Sequence, residues 1–154
     1  MTTAPALAAL LVAAAAGCGG GAEASQPSVT VGDVAPIDVE VADTAGERAV
    51  GLMGRAEVPP GTGMVFVYPE PVSNQFWMGN VEVPLSIAWV LDDTVVGLSE
   101  MQPCPAADET CPRYSPETPY THAVETTGGT FTAAQVQVGD AVVMSGLDVD
   151  VSPQ

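Results

Sequence analysis

The sequence predicts a mainly β fold, a compact single domain that forms a β-barrel or a sandwich of about seven to eight strands with one or two short helices. Apolar residues recur with a period of two along most of the chain after residue 29, which places them on one face of a strand. Gly, Pro, Asn and Asp separate these runs. So many strands need both edges of their sheet covered or joined, which favours a barrel or a sandwich. An α+β arrangement is the alternative.

The first part of the domain is predicted as strand, helix, strand. Residues 37–41 alternate apolar and acidic side chains, as a half-buried strand does. Thr44 and Glu47 have the spacing of a capping box, so we expect a helix from Ala45 to about Arg55. Residues 64–68 are continuously apolar and predict a buried strand.

Residues 76–104 should supply most of the core, because they contain both tryptophans. Residues 85–91 and 94–101 form the clearest hairpin, joined by two aspartates. Residues 102–119 contain five prolines and predict a long loop. After it we expect a strand near residues 120–125, a helical turn near 131–135 and further strands.

The charge balance is strongly acidic. The chain has 19 Asp and Glu against three arginines and no lysine, a net charge of -16. Such a chain repels polyanions, which argues against nucleic acid as a partner. The acidic groups are expected to form a solvated surface on a monomer.

The N-terminus predicts export. Residues 6–16 are an unbroken apolar run, typical of a signal peptide and too short to span a bilayer as a helix. Small residues and Cys18 follow, which resembles the lipobox of bacterial lipoproteins. We therefore expect a signal peptide at residues 1–18 ending at a lipidated Cys18, a flexible linker at 19–28 and one β-rich domain at 29–154. The protein would be lipid-anchored at the cell membrane or envelope; a secreted protein cut near Ala16 is the alternative.

Six collinear motifs carry a resemblance to the domain-of-unknown-function family number 192. They are Gly51-Leu52-Met53-Gly54-Arg55, Gly63-Met64-Val65-Phe66, Phe76-Trp77-Met78-Gly79-Asn80, Val83-Pro84-Leu85-Ser86-Ile87, Met101-Gln102-Pro103-Cys104 and Val138-Gly139-Asp140. The resemblance implies a compact, mostly β domain that is often exported and has no established activity. Relatives commonly carry lysine at the position of Gly79 and aspartate at that of Ser86, so this chain lacks any charged site formed by those two residues.

Cys104 and Cys111 are the cysteines that remain after Cys18. An even pair in an exported protein predicts a disulfide. A zinc site would need more ligands than these two and His122, the single histidine. We therefore predict no metal or other cofactor.

Methionines offer an alternative function. Thioethers are ligands for soft metals, so a copper site using methionines with His122 is conceivable. Methionine is also a common core filler, and the four that lie in the motifs flank apolar strands: Met53, Met64, Met78 and Met101.

Five residues are candidates for a shallow cleft that binds a small polar or glycan-like ligand: Arg55, Trp77, Asn80, Gln102 and Glu125. A purely structural role is open for two of them, since Arg55 can cap a helix or pair with a carboxylate and Asn80 suits a left-handed turn. Two function classes follow. One is a non-enzymatic binding or accessory domain tethered to the membrane; the other is an envelope hydrolase acting on cell-wall or carbohydrate material, with Glu125 or Asp140 as acid or base.

Overall fold

The computed structural model describes Met1, residues 26–104 and residues 110–147. It confirms the mainly β prediction, with seven strands in one sheet, two in a second small sheet, and two short helices. The elements in chain order are β1 (Ser28–Val31), β2 (Ile37–Ala42), α1 (Ala45–Val50), β3 (Thr62–Val72), β4 (Phe76–Trp77), β5 (Leu85–Leu91), β6 (Thr94–Met101), β7 (Arg113–Tyr114), β8 (Tyr120–Thr127), α2 (Thr130–Ala133) and β9 (Val142–Ser145).

The large sheet has the strand order β6-β5-β8-β3-β2-β1-β9. Every pair is antiparallel except β2 with β3, which is parallel. The two edge strands meet at one end, where the Val95 amide donates to the Asp140 carbonyl (2.9 Å) and the Val142 amide donates to the Asp93 carbonyl (2.8 Å). These bonds curl the sheet into a partly open barrel and remove part of each exposed edge.

Each face of the sheet has its own core. The interior core takes residues from all seven strands of the sheet, which places it inside the curl: Val29, Val31, Ile37, Val39, Val65, Val67, Ala88, Val90, Val95, Val124, Phe131 and Val142. The outer layer packs on the other face, where the connecting segments cover the strands: Ala42, Leu52, Val58, Met64, Phe66, Met78, Val81, Leu85, Ile87, Trp89, Met101, Tyr120 and Ala123. Trp89 is 1% exposed and lies in this outer layer, whereas Trp77 is half-buried and outside the buried core. The prediction that residues 76–104 supply most of the core is wrong, because fewer than half of the buried hydrophobic residues lie in that stretch.

The helix α1 begins as predicted and ends early. The Thr44 hydroxyl accepts from the Glu47 amide (3.2 Å), and the Glu47 carboxylate accepts from the Thr44 amide (3.0 Å), which confirms the capping box. The predicted end near Arg55 is wrong, since the last helical residue is Val50. Gly51 follows at φ +51°, a left-handed conformation that glycine adopts without strain and that ends a helix.

Two sequence-predicted connections are confirmed. Asp92 and Asp93 both have positive φ and turn β5 into β6, as a two-residue hairpin requires. Cys104 and Cys111 form a disulfide across the predicted long loop. That loop also contains β7, whose Tyr114 pairs with Phe76 of β4. The small sheet therefore fastens the loop onto the outer layer.

The predicted signal peptide, Cys18 and nearly all of the predicted linker lie outside the described residues. The first strand begins at Ser28. Within the part of the chain that the structure describes, no helix is long and apolar enough to cross a membrane.

Candidate functional site

A cleft of about 920 Å³ opens in the outer layer. One wall is α1 with the three residues after it, and the other is the segment from Ser73 to Met78. Phe66 and Glu125 reach it from the sheet, and Arg113 reaches it from β7. The helix α1 is only six residues long and none of its side chains is buried. It therefore covers this face of the sheet only in part, and the cleft lies in the part left uncovered.

Glu125 supplies an acidic group to this cleft. It lies in β8 between Met64 of β3 and Ile87 of β5, its partners in register. The residue is only 6% exposed, and no hydrogen bond joins its carboxyl to the residues that the structure describes. The carboxyl oxygens are not fully enclosed, since among the described residues the fully buried side-chain atom without a partner is Nε1 of Trp89. Burial raises the pKa of Glu125 to about 8, since a charged carboxylate is poorly solvated there. The group is therefore mostly protonated at neutral pH.

Tyrosine and phenylalanine rings lie in and beside the same cleft. Tyr68 and Tyr120 meet edge to face with ring centroids 5.6 Å apart, and Phe76 meets Phe66 in the same way at 5.0 Å. Burial raises the pKa of both tyrosine hydroxyls. The Tyr120 hydroxyl donates to the Asn74 carbonyl (2.9 Å) and so holds the cleft wall against the sheet.

Two of the three cations of the chain line this cleft. The Arg48 guanidinium lies 4.9 Å from the centroid of the Tyr68 ring, and the Arg113 guanidinium lies 5.0 Å from that of Trp77. Both distances are within the range of cation–π attraction. Neither arginine has a carboxylate within ion-pair distance among the described residues.

The two arginines differ in how they are held. Nη1 of Arg48 donates to the backbone carbonyls of Asp43 and Val67, the latter at 2.8 Å. Arg113 donates no hydrogen bond to any described residue and is exposed. Arg48 therefore links α1 to the sheet through hydrogen bonds to the backbone. The Arg113 side chain contacts the rest of the described protein mainly through the Trp77 ring.

Trp77 is positioned by Gly79. A β-carbon on Gly79 would lie 2.7 Å from the indole ring, so the ring rests directly on the glycine backbone. Arg113 covers the same ring. A larger side chain at position 79 would displace this ring. The Ser86 hydroxyl lies 2.8 Å from each carboxylate oxygen of Glu100, to which it donates, and Ser86 does not line the cleft.

The five predicted ligand-binding residues separate into two groups. Trp77 and Glu125 line the cleft together. Arg55 instead donates twice to the Glu40 carboxylate, at 2.5 and 2.7 Å, an ion pair that raises the pKa of Arg55 and lowers that of Glu40. Asn80 has φ +60°. These two positions match the structural roles considered for them, and neither contacts the cleft.

Gln102 also lies away from the cleft, where its exposed backbone amide donates to the Tyr114 hydroxyl (3.2 Å). Sequence reasoning missed Arg48, Arg113, Tyr68 and Phe76. The sequence did contain a signal for the two arginines. The chain has only three arginines against 19 acidic residues, so each arginine could have been considered as a candidate site residue.

The four methionines considered as copper ligands and His122 lie on opposite faces of the sheet. All four candidate copper ligands lie in or against the outer layer: Met53, Met64, Met78 and Met101. The register partners of His122 are Val67 and Val90, which belong to the interior core. Directly paired residues point to the same side of a sheet, so His122 faces away from the methionines. No group of three or more His, Cys, Asp or Glu is arranged for a metal within the described residues.

Asp140, the other acid or base considered for a hydrolase, lies where the barrel edges join. Its carboxylate accepts from the Gln137 amide (2.9 Å), and its backbone carbonyl accepts from Val95. It does not line the cleft.

Comparison with known proteins finds relatives of unknown function. The model of the family DUF192, described as uncharacterized ACR, matches residues 28–144. The chain is similar to the crystal structure of a protein of unknown function from Novosphingobium aromaticivorans DSM 12444, with a TM-score of 0.65 and 32% identity over 75% of this chain and 83% of that one. It is also similar to a Sinorhizobium meliloti 1021 protein described as a "putative transcription regulator", with a TM-score of 0.65 and 25% identity over 79% and 95% of the two chains. No curated protein matches at a significant level.

Proposed function

The chain belongs to the uncharacterised family DUF192, and we propose that it is a non-enzymatic binding domain of the cell envelope that holds a small polar or glycan-like ligand in the cleft over Glu125. The observation that carries the proposal is the Glu125 carboxyl, which lies in that cleft without a hydrogen bond to any residue that the structure describes. A buried polar group without a hydrogen bond costs stability. An apolar side chain between Met64 and Ile87 would avoid the cost, whereas a ligand that hydrogen-bonds the acid would offset it.

The dimensions of the cleft suit a small molecule. Its volume of about 920 Å³ lies within the roughly 300–1,000 Å³ of typical ligand pockets. Such pockets are mainly apolar with a few convergent polar groups. Phe66 and Phe76 supply the apolar surface here, and Glu125 with the two arginines supplies the polar groups.

A thermal-shift screen with glycans, small polar compounds and metal salts tests the proposal. We expect a subset of the organic compounds to raise the Tm of the wild-type protein. Glu125→Leu should raise the Tm of the unliganded protein, because the buried acid is removed, and should abolish the ligand shift. Glu40→Gln, outside the cleft, serves as the matched control and should keep the ligand shift. No shift with any compound, or an unchanged shift in Glu125→Leu, would refute the binding function.

The membrane attachment is proposed through a lipid on Cys18. The support is the apolar run that ends at this cysteine. Cys18→Ala should move the protein from the membrane fraction to the soluble fraction of cells that express it. Unchanged membrane fractionation would contradict the anchor and leave the cleft proposal unaffected.

Glu125 also supports a second candidate function, an envelope hydrolase in which the protonated carboxyl acts as general acid. An acid with a raised pKa in a cleft beside arginines is the kind of group that such catalysis uses. Glycoside hydrolysis commonly needs two carboxyl groups, and Glu125 has no second acid beside it among the described residues of the lining. Hydrolysis of fluorogenic glycosides by the wild type and not by Glu125→Gln would establish this function and displace the non-enzymatic one.

A further inference from the structure

The cationic side chains of this protein are unevenly placed. The chain has three arginines and no lysine against 19 acidic residues. With such an excess of carboxylates, each arginine would be expected to pair with one. Arg55 does so with Glu40, and this is the one ion pair in the part of the chain that the structure describes. Arg48 and Arg113 stay without a carboxylate there, and both line the cleft.

Arg113 makes no hydrogen bond to the residues that the structure describes. Its guanidinium lies over the Trp77 ring, and a β-carbon on Gly79 would lie 2.7 Å from that ring. A guanidinium has five N–H donors in one plane. Arg113 lines the cleft, and this planar fork matches a carboxylate through two parallel hydrogen bonds.

Arg48 adds a second positive charge to the same lining. Its Nη1 group is used by the backbone carbonyls of Asp43 and Val67, while Nε and Nη2 have no described partner. Glu125, the acid that shares the lining, is buried, and burial raises its pKa to about 8, so it is mostly protonated at neutral pH. The charged side chains of the lining are therefore mainly the two arginines, whereas the molecule as a whole carries -16. A cleft with low-dielectric walls concentrates the field of such charges on its occupant.

We infer that the ligand of this cleft is a small organic carboxylate, received by the Arg113 guanidinium, with a compact and largely apolar body lying against Phe76. The inference rests on the proposed binding function and narrows it to one class of ligand. Phe76 is half-buried, lines the cleft and provides the apolar contact. A phosphate is the less suitable anion, because phosphate sites gather several backbone amides or cations around three oxygens, and Arg113 presents a single fork.

The test measures the affinity of the full chain by calorimetry for pairs of compounds that differ in charge alone. Suitable probes are benzoate with benzamide, cyclohexanecarboxylate with its amide, and phenyl phosphate as the alternative anion. We expect each carboxylate to bind at least tenfold more tightly than its amide. The affinity for the carboxylates should fall as the salt concentration is raised, because salt screens an exposed charge contact. Phenyl phosphate should bind more weakly than benzoate.

Arg113→Gln is the decisive variant, because the side chain makes no hydrogen bond to the residues that the structure describes. It should lower carboxylate affinity by about 10- to 100-fold, the equivalent of a charged hydrogen bond, and leave amide affinity unchanged. Arg55→Gln removes the same charge outside the cleft and should change affinity less than threefold. Arg113→Lys keeps the charge and loses the fork, so it should bind carboxylates more weakly than the wild type.

The results separate the inference from the function on which it rests. Equal affinity for carboxylate and amide, equal losses in Arg113→Gln and Arg55→Gln, or a preference for phenyl phosphate would overturn the carboxylate assignment and leave a binding cleft. Binding of neutral compounds alone, with the Tm shift still lost in Glu125→Leu, would do the same. Absence of binding by every compound in both assays would remove the binding function and the inference together.

Discussion

The two faces of the seven-stranded sheet are covered in different ways. The interior core is nearly all aliphatic and rich in valine, and its single aromatic side chain is Phe131 from α2. The outer layer contains Trp89, Tyr120, Phe66 and several methionines, and the cleft lies in it. The curl of the sheet covers the interior face, because its own strands provide the opposite wall. The outer face depends on loops, a short helix and a two-stranded sheet.

This difference suits the interior face to packing and leaves room on the outer face for the proposed ligand recognition. Strands that pack against each other leave little room for a ligand, whereas connecting segments can leave a gap and present side chains at it. Glu125 lies on the face that loops cover, and this explains how a buried acid can still reach a cleft. The comparison predicts that interior substitutions change stability alone and that substitutions at the cleft change binding as well.

The largest effect is expected from an interior truncation. Ile37 is 1% exposed in the interior core, and Ile37→Ala should lower the free energy of unfolding by about 2–5 kcal/mol through lost contacts and a cavity. Ligand affinity, measured where the variant remains folded, should be unchanged. Phe76→Ala, the counterpart in the cleft wall, should abolish binding. Equal losses of binding in the two variants would remove the proposed division between the faces.

The next effect is the pH dependence that Glu125 imposes. Burial raises its pKa to about 8 in the folded state, against 4.5 for an exposed glutamate, so the folded state binds more protons and its stability falls as pH rises between about 5 and 8. Glu125→Gln cannot ionise and should be more stable than the wild type at pH 8 by about 2–4 kcal/mol, with little difference at pH 4. Chemical denaturation of both proteins across this range measures the difference curve.

Comparing the two proteins also isolates Glu125 from other titrating groups. Burial lowers the pKa of His122, opposed by Asp93, and this destabilises both proteins alike below about pH 6.5. Tyr68 and Arg48 share the cleft with Glu125 and are the same in both. A difference curve that is flat from pH 4 to pH 8 would mean that the carboxyl is ionised in the folded protein and would contradict its burial without a partner.

The smallest of the three effects concerns the disulfide that fastens the outer layer. Cys104 and Cys111 are separated by seven positions, and closing so short a loop stabilises the fold by about 2–3 kcal/mol on the chain-entropy model. The Cys104→Ser, Cys111→Ser double variant should lose this amount in urea denaturation. Reductant should destabilise the wild type by the same amount and leave the double variant unchanged. Stability that is insensitive to both changes would show that the outer layer holds without the bond.

Local features of the sequence were sufficient for much of the fold. The hairpin around Asp92 and Asp93, the capping box at Thr44 and the disulfide each depend on a few neighbouring residues, and all three are confirmed. The length of α1 was overestimated, because its apolar spacing continues to Ala56 although Gly51 ends it. Leu52 and Met53, expected on the helix, instead lie in a turn against the outer layer.

The site was only half predictable. Glu125 and Trp77 were predicted as site residues from their residue types and their positions in the sequence. The alternation of apolar and polar residues places Glu125 on one face of a strand, but it does not show which segment covers that face. Arg48 and Arg113 are far apart in the chain, and they meet the cleft only because β4 pairs with β7 and α1 folds over β3. Asn80 and Arg55 share motifs with cleft residues, yet a turn and an ion pair account for them.

By itself, the sequence determined the family, the strand-rich class, the hairpin, the cap and the disulfide, since each depends on residue type and short-range spacing. Tertiary structure alone decided the strand order, the closure between β6 and β9, and the meeting in one cleft of Glu125 with Arg48 and Arg113, none of which forms an ion pair among the described residues. Those features depend on pairings between distant segments, which the alternation of apolar and polar residues permits in many arrangements and packing reduces to one.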